Sequence, residues 1–268
     1  MPIIHTRGDM GSLGPALERK SASLVGGKRW TEHQEAVSRF WRAVEDCLLS
    51  LEGSHLVIYQ DGLAADGELG RRVVEEAARR DSLNHRLLLQ LVNRGADIRK
   101  TEDPSLLLEE LRLARQEAGA EGPSQELKAR RARLLEERDR FIARTIAETL
   151  KEGETAVLFI GAYHDVLPHL PEDISVEPLR EPDKVRLYLE ELTYGKDPQR
   201  WRRLADYLAS PIPPAVKEQT PLGSPNLPPS CCASAFQERG LSDIVDAEER
   251  HRHGMLSIRP CGGLHGSG

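Results

Sequence analysis

Residues 155–168 read TAVLFIGAYHDVLP. Five apolar residues, Ala156 to Ile160, run into Gly161 and then at once into Tyr163, His164 and Asp165. A short run rich in Val, Leu, Ile and Phe predicts a strand buried on both faces, as in a parallel sheet. A histidine just beyond it stands where an open parallel sheet binds ligands, at the carboxyl ends of its strands.

Shorter runs of the same kind lie along the chain: PIIHT (2–6), HLVIYQ (55–60), ADIRKT (96–101) and ISVEPL (174–179). Amphipathic, charge-rich stretches at 31–52, 68–80, 83–94, 104–119, 124–152, 183–193 and 198–209 separate or follow them and predict helices. Strands joined through helices of this length need crossover connections. The fold class expected is therefore α/β, a mostly parallel sheet of about five strands with helices on both faces, followed by a disordered C-terminal tail.

Several helix ends have a local cause. Thr31, with Gln34 and Glu35 after it, offers a cap at the start of a helix. Pro104 suits a first helical position, where its missing N–H has no partner to lose. Gly95 and Gly153 suit left-handed helix ends. In ELKARRARLLEERDRFIARTIAETLKE, residues 126–152, the apolar positions Leu127, Ala132, Leu134, Leu135, Ile142, Ile146 and Leu150 mark one stripe within heavy charge. That pattern predicts a long solvated helix whose C-terminal half packs on the sheet.

After Ser210 the sequence PIPPAVKEQTPLGSPNLPPSCCASA is dense in Pro and Ser and has no apolar period. Residues 1–210 are expected to form the α/β domain and residues 211–268 the tail. In the tail His251, His253, Cys261 and His265 lack the spacing of a zinc finger.

Composition narrows the partners. The 268 residues hold 37 basic and 43 acidic side chains, a net charge of −6, with no long basic run and only 4% aromatics. Neither a nucleic-acid footprint nor base-stacking platforms fit this pattern. No apolar run reaches the roughly 18–20 residues that span a bilayer, and the N-terminus carries no secretory pattern. The four cysteines, two of them vicinal, do not form a disulfide framework. A cytoplasmic setting is expected, with a small molecule or peptide as ligand and neither nucleic acid nor membrane as partner. The oligomeric state has no sequence signature.

The strand ends carry the chemistry. Beyond the first stand His5, Thr6 and Asp9; beyond the second, Gln60 and Asp61; beyond the third, Thr101, Glu102 and Asp103; beyond the fourth, Tyr163, His164 and Asp165. Imidazoles and carboxylates gathered in one cleft either ligate a divalent metal or share a proton in acid–base work. Other motifs are incomplete. SLVGGKRWT lacks the first glycine and the Ser/Thr of a phosphate loop, and neither Gly-x-Ser-x-Gly nor His-Glu-x-x-His occurs.

Across EERDRFIARTIAETLKEGETAVLFIGAYHDVLPHL, residues 136–170, the chain resembles the TraB/PrgY/Tiki group, related in fold to the erythromycin-esterase and ChaN-like proteins. Members carry an acidic-Arg-Asn/Asp stretch on a helix and then an apolar strand ending in Gly-x-x-His; the counterparts are Glu137, Arg138 and Asp139, followed by Gly161 and His164. A histidine after the first strand and an acidic residue after the second correspond to His5 and Asp61. The first strand departs from the pattern, with Pro2 standing three positions before His5. Some members are metal-dependent hydrolases and others bind ligands without assigned chemistry. The resemblance gives Arg138 a place at the site, where a guanidinium holds a carboxylate or an oxyanion in bidentate fashion.

The sharpest functional expectation is a metal-dependent hydrolase. His5, His164, Asp61 and Glu102 would ligate a divalent ion that lowers the pKa of a bound water, and Arg138 would steady the developing charge. The alternatives are a metal-free enzyme using His5 or His164 as general base, a non-catalytic receptor for a small molecule or peptide, and an interaction module working through its tail.

Overall fold

A computed structural model describes residues 1–6, 8–9, 14–51, 55–118 and 124–213. The elements, in chain order, are β1 (Pro2–Ile3), α1 (Gly14–Val25), α2 (Gly27–Leu49), β2 (Leu56–Gln60), α3 (Gly67–Ala78), α4 (Leu83–Asn93), β3 (Asp97–Arg99), α5 (Pro104–Ala118), α6 (Gln125–Thr149), β4 (Thr155–Gly161), a single 3₁₀ turn (Leu167–His169), α7 (Pro182–Tyr194) and α8 (Pro198–Ala209). The strands form one sheet in the order β1-β4-β2-β3, every pairing parallel. All four carboxyl ends therefore open on one rim.

The fold is α/β with four strands rather than five. Residues 174–179 form no strand, because ISVEPL interrupts its apolar positions with Glu177 and Pro178, and Pro178 has no N–H to give a ladder. The first strand ends at Ile3, so His5 stands two residues beyond it. Helix α1 is not among the helices that the amphipathic pattern predicts. Helix α2 starts four residues earlier than the capping pattern at Thr31 predicts; the Thr31 hydroxyl donates instead to the Gly27 carbonyl, 3.1 Å away, inside the helix. Gly95 and Gly153 adopt the left-handed backbone expected of them, with φ of 100° and 81°. Pro104 opens α5 as expected. The tail reading, from residue 214 onward, lies outside the described residues.

Alternation along the strands sorts the side chains into two layers. Leu56 and Ile58 of β2, with Val157 and Phe159 of β4, pack among α2, α4, α7 and α8. Val57 and Tyr59 face the other way, onto Ile142, Ala143 and Ile146 of α6. A side chain such as Phe159, fully buried, stabilises the fold by roughly 1.5–3 kcal/mol relative to exposure. By the same alternation Gln60 belongs to the α4 side and Asp61 to the α6 side.

The loop after β1 is fastened to the start of α4. The Asp9 carboxylate accepts from the backbone N–H of Thr6 and, at 2.8 Å, from the Thr6 hydroxyl. Its other oxygen accepts from the Ser82 hydroxyl. Ser82 in turn caps α4, accepting from the His85 N–H at 3.1 Å. Gly8 lies so close to this helix start that a Cβ would come within 2.3 Å of the Asp81 and Ser82 backbone. Burial alone would raise the Asp9 pKa, but His85, the nearby charge of His5, Ser82 and Thr6 together lower it from 3.8 to about 2. A depressed carboxylate stabilises the fold above its unfolded pKa and loses that contribution as pH falls through its folded one. Asp9→Asn is therefore expected to lower the free energy of unfolding by about 1–3 kcal/mol at neutral pH. The gap from wild type should close between about pH 4 and pH 2, as urea titrations across that range would reveal.

Candidate functional site

Helix α6 brings a charged pair into the interior. Leu134, Arg138, Ile142 and Ile146 follow one another at four-residue intervals along its buried stripe, and Asp139 lies beside them. Arg138 is only 2% exposed. A guanidinium cannot be left alone at that depth, and here it meets three carboxylates. Its Nε donates to Glu102 Oε2 at 3.1 Å and its Nη2 to Glu102 Oε1 at 2.6 Å, a bidentate pair. Nη2 also donates to Asp61 Oδ1 at 2.9 Å, and Nη1 to Glu110 Oε1 at 3.0 Å. Burial disfavours the Arg138 charge, yet Asp61, Glu102 and Glu110 more than offset it and hold the guanidinium firmly protonated. Burial pushes the Glu102 carboxyl above the ordinary range, with Arg138 opposing the rise and Asp61 adding to it.

The strand ends support these groups through the backbone. Asp61 continues the β2 ladder, its N–H donating to the Phe159 carbonyl at 2.8 Å. Asp61 Oδ2 accepts from the Gly161 N–H at 3.1 Å, which ties the ends of β2 and β4 together. Beyond β3, the N–H groups of Thr101 and Glu102 both donate to the Leu63 carbonyl, and the Thr101 hydroxyl donates to the Gln60 carbonyl.

His164 completes the arrangement. Its Nδ1 lies 2.5 Å from Asp139 Oδ1, and Asp139 Oδ2 accepts from the Asp165 N–H at 2.9 Å. The carboxylate is thus held at both oxygens and fixes the ring. On the far side His164 Nε2 has no hydrogen-bond partner although it is buried. It faces Asp61 Oδ2 at 3.6 Å. The carboxylate adjacent in sequence, Asp165, has an exposed side chain and contributes its backbone instead.

Of the expected site residues, Asp61, Glu102, Arg138 and His164 are joined in this one network. His5 stands on the loop after β1, where its charge acts on Asp9. Arg138 makes three donor contacts to the buried Asp61 and Glu102 and one to the half-buried Glu110, holding Glu102 in bidentate fashion. The expected metal ligand set does not assemble as one. Among the described residues no group of three or more His, Cys, Asp or Glu side chains is placed to hold an ion. Asp61 Oδ1 and both Glu102 oxygens already accept from Arg138. Those oxygens are engaged by the guanidinium and are not free to bind an ion. Asp139, which the sequence marks only through the resemblance, is the residue that orients His164. Its sequence signal is a carboxylate three residues before Ile142 on the buried stripe.

No described helix is long and apolar enough to cross a membrane. Comparison with known proteins leaves the chain without an assigned family: no family model, no curated protein and no solved structure matches it.

Proposed function

We propose that the chain is a hydrolase of the acid–base type in which His164 activates water, oriented by Asp139. The observation that carries this reading is the buried, unpartnered Nε2 of His164 opposite an Nδ1 fixed by a carboxylate. A carboxylate at Nδ1 selects the tautomer that leaves Nε2 bare, as a general base requires. Among the described residues no serine, threonine or cysteine bonds that nitrogen, so this reading takes water as the nucleophile.

In the reaction Nε2 takes a proton from water as the water oxygen bonds to the acyl carbon of an ester or amide. The imidazolium so formed lies between Asp139 and Asp61. The bond from the acyl carbon to the leaving oxygen or nitrogen then breaks, and the leaving group receives the proton from Nε2. Arg138 and Glu102 keep Asp61 in place beside the ring.

An activated ester such as p-nitrophenyl acetate tests the reading. Turnover should survive exhaustive chelation and fall by about 10²–10⁴-fold in His164→Ala. Chelator-sensitive turnover restored by Zn²⁺ or Mn²⁺ would favour the metal-dependent alternative. Stabilisation by a ligand without turnover would favour a receptor.

Gly161 offers a sharper probe of geometry. A Cβ there would come 3.3 Å from Asp61 Oδ2 and 3.4 Å from His164 Cδ2, pressing on both sides of the centre. Gly161→Ala should slow turnover roughly tenfold to a hundredfold while the protein still unfolds cooperatively, as steady-state kinetics and a thermal melt would establish.

A further inference from the structure

A second buried acceptor stands across the rim from His164. Asn84, in the first turn of α4, is 2% exposed, and its side-chain carbonyl Oδ1 has no hydrogen-bond partner. The orientation of this amide is fixed by its neighbours. The Asp61 carbonyl only accepts, so Gln60 presents its Nε2 to it, at 2.9 Å. Gln60 Oε1 is then left facing Asn84, which must present its own Nδ2, also at 2.9 Å. Oδ1 is what remains, and turning the amide over would set two carbonyl oxygens against each other.

The place of this oxygen gives it meaning. Gln60 and Asp61 are consecutive at the end of β2 and turn to opposite faces of the sheet, one toward Asn84 and one toward Arg138 and His164. A ligand at the carboxyl end of β2 would lie between the imidazole on the α6 side and the amide on the α4 side. The Asp9 carboxylate already occupies the start of α4, which makes this flank unsuited to an anion. What a bare amide oxygen takes is an N–H or O–H donor.

We infer that Asn84 is a substrate-recognition residue whose Oδ1 accepts a hydrogen bond from an amide N–H or hydroxyl near the scissile acyl group. The inference rests on the hydrolase reading for the identity of the neighbouring centre. It narrows the substrate to acyl compounds that carry such a donor, for example N-acylamino esters.

The test uses the full chain and three probes: p-nitrophenyl acetate, the p-nitrophenyl ester of N-acetylglycine, and its N-methyl counterpart, which lacks only the N–H. Wild type should favour the N–H ester over the N-methyl ester by about tenfold to a hundredfold in kcat/KM. Asn84→Leu should bring that ratio near one, with Asn84→Ala in its place where the leucine variant does not unfold cooperatively. A wild-type ratio near one, or a preference that persists in both variants, would overturn the assignment of Asn84. With His164→Ala still inactive, that outcome would leave the hydrolase reading standing. His164→Ala as active as wild type on all three esters, or no turnover by wild type, would remove both. A crystal structure with an enclosed water bonded to Asn84 Oδ1 and two further protein groups would also overturn the assignment, by giving the oxygen a purely structural partner.

Discussion

Replacing Arg138 by leucine is expected to lower the free energy of unfolding by about 3–5 kcal/mol at neutral pH, the largest loss for any single side chain at this centre. The size follows from what is left behind. Asp61 and Glu102 are almost wholly enclosed and Glu110 is largely so; without the guanidinium their charges face one another in an interior of low dielectric. Leucine matches the apolar stripe of α6 and packs without strain, so the loss is electrostatic rather than steric. Buried carboxylates without a partner bind protons more readily. Part of the loss should therefore return as the pH is lowered from about 7 to about 5, whereas a packing defect would be indifferent to pH. Urea unfolding at the two pH values separates the causes, and a deficit unchanged between them would refute the electrostatic origin. Arg138→Lys, with one point charge in place of a bidentate fork, should recover only part of the stability.

Asp139→Asn is expected to reduce turnover of an activated ester by about 10²–10⁴-fold with little change in stability. Asparagine keeps the size of the side chain but has one oxygen to offer. The Asp165 N–H can only donate, so it claims that oxygen and turns the NH₂ group toward His164 Nδ1. The ring must then accept at Nδ1 and carry its proton at Nε2, the nitrogen that has to be bare. Base and tautomer are lost together. Because the asparagine still bridges His164 and Asp165, the loss should fall on kcat while KM for p-nitrophenyl acetate stays close to wild type. A variant with unimpaired kcat would show that Asp139 does not orient the catalytic ring.

The sequence disclosed the sheet through its central strand. An uninterrupted apolar run followed by glycine leaves β4 few alternatives, and the helix ends at Gly95, Pro104 and Gly153 follow from backbone chemistry alone. Residues 174–179 misled because an apolar start outweighed Pro178. Helix α1 is hard to read because it is short and has Gly14 at its start and Gly26 and Gly27 at its end. At the site, a histidine after a strand was legible from topology, as were the acidic residues beyond β2 and β3. The partners of these residues were harder to read. Charge on α6 suggests an exposed face, yet Arg138 occupies the four-residue register of Leu134, Ile142 and Ile146, and a charged residue in an apolar register is itself the mark of a buried pair. Adjacency in sequence offers Asp165 as a companion of His164, but its side chain is exposed. Neighbours just beyond a strand point apart, however, and the companion comes from Asp139, 25 residues earlier. Asn84 left no trace in the sequence, since an amide in the first turn of a helix is ordinary.

The state of the His164 ring is open to direct observation by ¹⁵N NMR of the labelled protein. The chain has nine histidines, and His164→Gln identifies the relevant pair of nitrogens by difference. Where the spectrum shows the ring with a single proton, the account places that proton on Nδ1, facing Asp139, with Nε2 unprotonated. A proton on Nε2 and a bare Nδ1 would contradict the assignment of His164 as the base.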